Sequence, residues 1–284
     1  MTLLISKLVA DGAEPLQRAG VNEARLESTL LLAHALGRDR TFVITHADEP
    51  VDERALETFR KLIERRAARE PLQYLTGCQE FFKLDFEVTP DVLIPRPETE
   101  LLVEFSLEVL KDNPTSLIAD IGTGSGCIAI SLLHELPRAR AVATDISVDA
   151  LQVARRNAER HSVMDRLALT ESDCFSAISR DALFSLIVSN PPYVREDEWP
   201  RLQREVREHE PRSALVSGPD GLTMIRRLLD EAPALLSDDG YFVFEFGFGQ
   251  SEEIARLIDQ RVWEIAAIRA DLQNIPRVFV LRKL

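Results

Sequence analysis

The feature that most constrains this chain is a junction. Leu117-Ile118-Ala119-Asp120-Ile121 runs straight into Gly122-Thr123-Gly124-Ser125-Gly126, and then into the helical Cys127-Ile128-Ala129-Ile130. This is a strand, a tight glycine turn and a helix start. From Glu98 onward the pattern repeats. Strand candidates are 117–121, 141–145, 167–170, 186–189, 241–246, 263–269 and 278–282, and helical patterns over 101–111, 127–135, 148–161, 222–236 and 251–259 separate most of them. Such alternation predicts an α/β sheet covered by helices on both faces.

The first 70 residues or so read differently, as helices only. Over Glu23–Leu36, Leu26, Leu30, Ala33 and Leu36 recur at helical spacing, with Asn22 as the expected N-cap and Gly37 as the stop. A second helix is expected over 52–69, with Leu56, Phe59, Leu62 and Ile63 on one face and Arg60, Lys61, Arg65, Arg66 and Arg69 around it. That basic face reads first as solvated and only second as a partner surface. Between Pro71 and Pro97 the texture changes again. Gly77, Pro90, Pro95 and Pro97 flank an aromatic and β-branched stretch, Phe81–Val88, read as a hairpin or extended linker at a domain boundary.

Acidic residues outnumber basic ones 47 to 34, a net charge of −13, so the chain has no global attraction for phosphate backbones or anionic membranes. No apolar run approaches the ~20 residues of a membrane span. Met1–Lys7 carries no secretory pattern. Cys78, Cys127 and Cys174 are far apart, which predicts a reducing, cytoplasmic setting without disulfides, and no metal-ligand spacing is present. The histidines at 34, 46, 134, 161 and 209 are read as structural or surface residues.

The glycine loop is not a dinucleotide fingerprint. Its third glycine comes one position early, and Cys127 stands where that pattern needs Gly or Ala. A D-x-G-x-G-x-G run suits a nucleoside ligand without a pyrophosphate, of which S-adenosylmethionine is the commonest. Asp145 ends the next strand, about twenty residues on, where a carboxylate can take both ribose hydroxyls; the competing reading is a cap on the following helix. Asp173 and Cys174 follow the third strand and are expected at the edge of an adenine pocket.

The strand ending at Ser189 leads into Asn190-Pro191-Pro192-Tyr193. The prolines remove two N–H donors and fix the backbone. What remains is a rigid pair of acceptors, the Asn190 side-chain oxygen and the Pro191 carbonyl, with Tyr193 adding an aromatic face. Such a cage holds both hydrogens of a planar amino group and turns its nitrogen toward an electrophile. Ligands of open α/β sheets bind beyond the carboxyl ends of strands near the switch in strand order, which would bring this box and the glycine loop together.

The segments Pro71–Gly77 (PLQYLTG), Leu93–Glu100 (LIPRPETE), Asp120–Gly126, Asn190–Tyr193 and Glu210-Pro211 resemble the release-factor glutamine N5-methyltransferases, the PrmC/HemK family, over nearly the full length. The resemblance implies a small all-helical domain (1–70), a β-hairpin linker (71–96) and a seven-stranded Rossmann-like methyltransferase domain (97–284); lying apart from the catalytic motifs, the helical domain and linker are expected to dock the substrate. It implies S-adenosylmethionine as methyl donor, leaving as S-adenosylhomocysteine, with Gly122, Thr123, Gly124, Ser125, Gly126, Asp145, Asp173, Cys174 and Asn190 as its contacts. Catalysis would fall to Asn190, Pro191 and Tyr193, and the amide would sit among Asn190, Pro191, Pro192 and Tyr193. The implied partner is a class-1 peptide-chain release factor, methylated on the glutamine of its Gly-Gly-Gln motif. Neither direct nucleic-acid contact nor a membrane is expected. The alternative chemistry is N6-adenine methylation of DNA or RNA, because the same box can hold an aryl amine.

The chain departs from the family pattern at Cys174, which is often larger, and at Asn274, which replaces a glycine in the turn Asp271–Arg277. Asn tolerates the left-handed conformation, so that turn is expected to persist. Arg96 and Glu98 either line the cofactor mouth or stiffen the linker and start a helix.

Overall fold

The computed structural model describes residues 3–284; Met1 and Thr2, part of the segment read for a secretory pattern, lie outside the described residues. The chain forms two compact units. One runs through Cys78 and takes in Gln203–His209, and the other comprises Gln79–Leu202 and Glu210–Leu284.

The first unit is helical: α1 (Ile5–Arg18), α2 (Ala24–Leu36), α3 (Arg40–Thr45), α4 (Glu53–Ala67), α5 (Leu72–Thr76) and, from later in the chain, α9 (Arg204–His209). Leu16, Leu31, Leu32 and Phe59 form its buried centre. Gly12 permits the tightest crossing, since a Cβ there would stand 2.6 Å from both Phe59 Cζ and Ser28 Oγ. Asp52 caps α4 by accepting from Ala55 N at 2.9 Å. Gly37 ends α2 in the left-handed conformation as expected, but Asn22 is not its N-cap: the helix follows Glu23, and no side chain caps it.

The basic face of α4 is only partly solvated. Arg60 and Lys61 are exposed, and Lys61 pairs with Glu57 on its own helix at 2.7 Å. Arg66 is buried, its Nε donating to Glu27 at 2.5 Å and its Nη1 to Glu205 at 3.3 Å, and Arg69 donates to Glu205 at 2.7 Å. Glu205 belongs to α9, so these ion pairs join a distant stretch of chain to the N-terminal helices.

The second unit begins within the first strand of a hairpin, β1 (Cys78–Phe81) and β2 (Leu84–Glu87), turned by Phe82 and Lys83 at φ +48° and +62°. Positive φ at both central residues is the twist-matched hairpin turn, built here without the usual Gly or Asn. Next come α6 (Glu100–Leu110), β3 (Leu117–Ile121), α7 (Cys127–Glu135), β4 (Arg140–Asp145), α8 (Val148–Arg160), β5 (Leu167–Glu171) and β6 (Phe184–Ser189). After α9 follow α10 (Thr223–Glu231), β7 (Leu236–Glu245), α11 (Ser251–Leu257), β8 (Trp263–Ala270) and β9 (Pro276–Lys283).

All seven expected strands are present in one sheet of order β5-β4-β3-β6-β7-β9-β8. β5 through β7 pair in parallel, and β9 pairs antiparallel with both its neighbours. Side chains alternate between two cores. Ile118, Leu186, Val188, Val243 and Val280 pack with α6 and α7, whereas Ala119, Ile187, Phe242, Phe244 and Leu281 pack with α10 and α11. The helix expected over 222–236 is shorter. α10 ends at Glu231, a 3-10 turn carries Pro233, and Leu236 already belongs to β7. Pro233 has no N–H to continue the α-helical ladder. Asn274 keeps its turn, at φ +60°, with Asp271 accepting from the amides of Gln273 and Ile275 at 2.8 and 3.0 Å.

Removing one partner of a buried ion pair leaves the other charges uncompensated and costs about 3–5 kcal/mol. Arg66→Ala is therefore expected to lower the unfolding free energy by about 3 kcal/mol in urea titration, whereas Arg60→Ala on the same helix stays within about 0.5 kcal/mol of the parent.

Candidate active site

The strand order reverses between β3 and β6, and the site lies at their carboxyl ends. Ser189 Oγ, at the end of β6, donates to the Ile121 carbonyl at the end of β3 over 2.7 Å, fixing the two strand ends against each other. The glycine loop then folds over β4. The amides of Gly122 and Thr123 both donate to the Thr144 carbonyl, at 2.9 and 2.8 Å, and Gly124 N donates to Asp145 Oδ2 at 2.9 Å. At Gly126, φ is +82°, and a Cβ would stand 2.8 Å from Ile130 Cδ1 and 3.2 Å from Ala154 Cβ. Only glycine lets α7 start this close to α8.

Beneath the loop, Asp120 is fully buried. Its Oδ2 accepts from Thr123 Oγ1 at 2.7 Å and from Ala129 N at 3.3 Å, which ties strand, loop and helix to one carboxyl. Burial pushes this carboxyl up to about 7. On the outer side, Asn157 of α8 donates to the Ser125 carbonyl at 2.9 Å and to the Glu87 carbonyl at 3.0 Å, and accepts from Glu87 N at 2.7 Å. One buried amide thus links the hairpin to the glycine loop.

A cleft of about 330 Å³ opens above these strand ends. Of the residues singled out in the sequence, Gly122, Gly124, Asp145, Asp173, Cys174, Asn190, Pro191 and Pro192 line it. Thr123, Ser125, Gly126 and Tyr193 do not. Thr123 and Ser125 are buried, with Thr123 turned onto Asp120, and Gly126 packs against α8.

Asp145 is not the cap of α8; Ser147 is, accepting from Ala150 N at 3.1 Å. Instead Asp145 Oδ1 accepts from Ser147 N and Oδ2 from Gly124 N, both at 2.9 Å, which holds the carboxyl rigid at the cleft wall. Burial raises its pKa, and the amides that donate to it counter this. Asp173 turns its carboxylate to Arg227 at 2.5 Å. Cys174 sits at φ +56°, and burial pushes its thiol up to about 12, so it faces the cleft as a neutral, apolar wall.

The opposite wall was not legible in the sequence. It comes from Pro90–Leu93 and from Pro211, Ser213 and Ala214. Glu210 latches the two stretches together, accepting from Ile94 N at 3.3 Å and pairing with Arg96. Arg96 and Glu98 do not line the cleft; Glu98 lies in the 3-10 turn Pro97–Thr99 that leads into α6.

In the Asn-Pro-Pro-Tyr box, Asn190 Nδ2 donates to Thr99 Oγ1 at 3.0 Å, and Thr99 Oγ1 donates to Glu245 Oε2 at 2.7 Å. The Tyr193 hydroxyl donates to Glu245 Oε1 at 3.1 Å. The Tyr193 hydroxyl is therefore turned onto Glu245. The charge of that buried acid raises the phenol's pKa. The Tyr193 carbonyl accepts from Gln250 Nε2 at 3.0 Å, and Gly221 lies so close that a Cβ would stand 2.3 Å from that oxygen. Glu245 ends β7 fully buried, and burial pushes it up to about 7.

Residues 7–77 match the model of the PrmC N-terminal domain, and residues 98–209 match that of the methyltransferase small domain. A release factor glutamine methyltransferase of Geobacter sulfurreducens is 47% identical over 93% of this chain and 91% of its own length. Another, from Nitratidesulfovibrio vulgaris, is 40% identical over 97% of this chain and 94% of its own. The chain belongs to the release factor glutamine methyltransferase family. Among solved structures, the hMettl16 catalytic domain in complex with an RNA hairpin aligns with a TM-score of 0.56 at 16% identity, over 77% of this chain and 81% of that one. A ribosomal protein L11 methylase from Lactobacillus delbrueckii aligns with a TM-score of 0.51 at 21% identity, over 72% and 90%. At these identities the likeness is one of fold, and it places this member of the glutamine methyltransferase family on the Rossmann-like methyltransferase sheet.

Asp120 binds its proton more tightly folded than unfolded, so its contribution to stability is complete below about pH 4 and is lost as pH rises through about 7. Relative to Asp120→Asn, the parent should lose up to about 1.4 kcal/mol per pH unit across that window and level off above it, as read from urea midpoints at pH 5, 6, 7 and 8.

Proposed function

We propose that this protein transfers a methyl group from S-adenosylmethionine to the side-chain amide nitrogen, N5, of the glutamine in the Gly-Gly-Gln motif of peptide-chain release factors. The observation that carries this reading is that one cleft is lined both by Gly122, Gly124 and Asp145 and by Asn190 and Pro191. The membership in the family supports the choice of substrate.

The residues fit the donor. Asp145 already accepts one amide at each oxygen and keeps lone pairs for the two ribose hydroxyls of a nucleoside. Gly122 and Gly124 let a ligand approach the backbone closely, and Cys174 offers an apolar wall to a base. When bound, S-adenosylmethionine supplies an electrophilic methyl carbon.

The remaining work falls to the chain. An amide nitrogen is a poor nucleophile because its lone pair is shared with the carbonyl. Asn190 Oδ1 and the Pro191 carbonyl accept its two hydrogens and favour a pyramidal nitrogen, a geometry that belongs to the transition state more than to the ground state. The Ser189–Ile121 bond sets the distance between acceptors and glycine loop, so alignment along the displacement axis is built in before substrate arrives. As the new N–C bond forms and the S–C bond breaks, the nitrogen becomes acidic and releases one proton to water. No strong base is needed. The helical unit, including α9, is proposed to dock the protein substrate.

With labelled donor, the label should appear on the Gly-Gly-Gln glutamine of an unmodified release factor, seen by mass spectrometry of that peptide. Label found on a nucleic acid offered alongside, and not on the protein, would favour the adenine reading. Removing one preorganised group at a reacting centre costs about 10²–10³ in rate, so Asn190→Ala should lower kcat by that factor. A kcat equal to the parent's would end the acceptor-cage mechanism. Hydrogen bonds to a charged group contribute about 1.5–3 kcal/mol, so Asp145→Asn should weaken S-adenosylmethionine binding by about 10–100-fold in calorimetric titration.

A further inference from the structure

We infer that Thr99 and Glu245 are positioning residues that dictate which end of the Asn190 carboxamide faces the substrate. The inference rests on the reaction proposed above and concerns residues that touch neither ligand.

The placement of a few hydrogens decides the matter. An asparagine amide is nearly symmetric in shape, and its oxygen and nitrogen exchange places on rotation about the last side-chain bond. A cage that must accept hydrogens from an amino group works only with Oδ1 toward the cleft. Presenting Nδ2 instead would set donors against donors. Some group behind Asn190 must therefore tell the two ends apart.

Thr99 Oγ1 is that group, 3.0 Å from Asn190 Nδ2. A hydroxyl alone makes no distinction, since it can donate or accept. Here its single hydrogen is committed, pointing to Glu245 Oε2 at 2.7 Å. Glu245 in turn receives the Tyr193 hydroxyl on its other oxygen at 3.1 Å, so in its ionised form two donors converge on it and each oxygen serves as acceptor. The Thr99 oxygen is left with lone pairs only, and it can receive Asn190 solely through N–H. The flipped amide would place oxygen against oxygen in a buried setting where a lost hydrogen bond is not replaced by water. That preference for the productive orientation is worth about tenfold or more.

The elements that deliver these groups are distinct. Thr99 comes from the 3-10 turn before α6, Asn190 from the end of β6, and Glu245 from the end of β7. Glu245 is 2% exposed and Thr99 likewise 2%, neither lines the cleft, and a buried acid at a strand end is otherwise a cost to folding. The Leu93–Glu100 segment thus acquires a specific role, which is to carry one hydroxyl to the back of the acceptor cage.

The test is steady-state methyl transfer to full-length release factor by the parent, Thr99→Val and Thr99→Ser, with S-adenosylmethionine affinity and thermal midpoint measured for each. Valine keeps the shape and removes the hydroxyl; serine restores it. Thr99→Val is expected to lower kcat at least tenfold while KM for release factor and donor affinity stay within about threefold, and Thr99→Ser is expected to recover kcat to within about threefold of the parent. Glu245→Leu provides a second measurement. It removes both acceptor oxygens and leaves the threonine hydrogen free to point toward Asn190, so kcat of the folded enzyme should fall about fivefold or more at unchanged donor affinity. A folded Thr99→Val enzyme within twofold of the parent overturns the relay. So does a Thr99→Ser as slow as Thr99→Val, or a folded Glu245→Leu at parental speed. Absence of transfer by the parent itself would count against the proposed reaction, whereas parental transfer that these substitutions leave intact counts against the relay alone.

Discussion

β3 and β6 lie side by side and parallel, and the chain leaves both at the same edge of the sheet. One departure is the glycine loop, the other the Asn-Pro-Pro-Tyr box. With α7 on one face of the sheet and α10 on the other, a cleft opens above this pair, and the Ser189 hydroxyl on the Ile121 carbonyl holds the two strand ends together. Every later feature depends on that pairing. Asp145 reaches the cleft because β4 is hydrogen-bonded to the far side of β3, and Glu245 stands behind the box because β7 is hydrogen-bonded to the far side of β6. A one-residue slip of β6 would turn Asn190 to the other face and separate it from the loop.

The sheet was legible because β6 and the Tyr241–Phe244 part of β7 are short apolar runs, and the other strands are set off by turn residues and by the helical patterns between them. The glycine loop and the proline box were legible for a related reason: few local sequences force the backbone so narrowly. The rest was hidden by the same logic. Pro90–Leu93 and Pro211–Ala214 have no periodicity, and only the folded chain shows that Glu210 holds them together as one wall. The hairpin turn at Phe82-Lys83 carries no glycine to announce it. Ser147 rather than Asp145 caps α8, a distinction that spacing alone could not make because both lie within reach of the helix start.

Two acids sit behind the site near the carboxyl ends of two strands, Asp120 on β3 and Glu245 on β7, each held near 7 by burial. A usable signal for the second was present: Glu245 interrupts the run Tyr241–Phe246, and a charged residue inside a buried strand needs a partner or a purpose. Thr99 gave no such sign, since its value lies in where its hydroxyl points. Both acids organise neighbours through the hydrogens they receive: Asp120 those of Thr123 and Ala129, Glu245 those of Thr99 and Tyr193.

The helical unit is not contiguous in the chain, although sequence order suggests a continuous one. The chain contributes residues up to Cys78, leaves, and returns at Gln203–His209 to supply Glu205 to Arg66 and Arg69. A truncation after Cys78 would strand two guanidinium groups, one of them buried, and would remove a helix from the unit it left behind. Nine residues separate Tyr193 from Gln203, so the backbone that carries the Asn-Pro-Pro-Tyr box is also the backbone that completes the helical unit. Gene fusions, domain swaps and evolutionary shuffling that cut this chain at its hairpin would therefore inherit two incomplete parts.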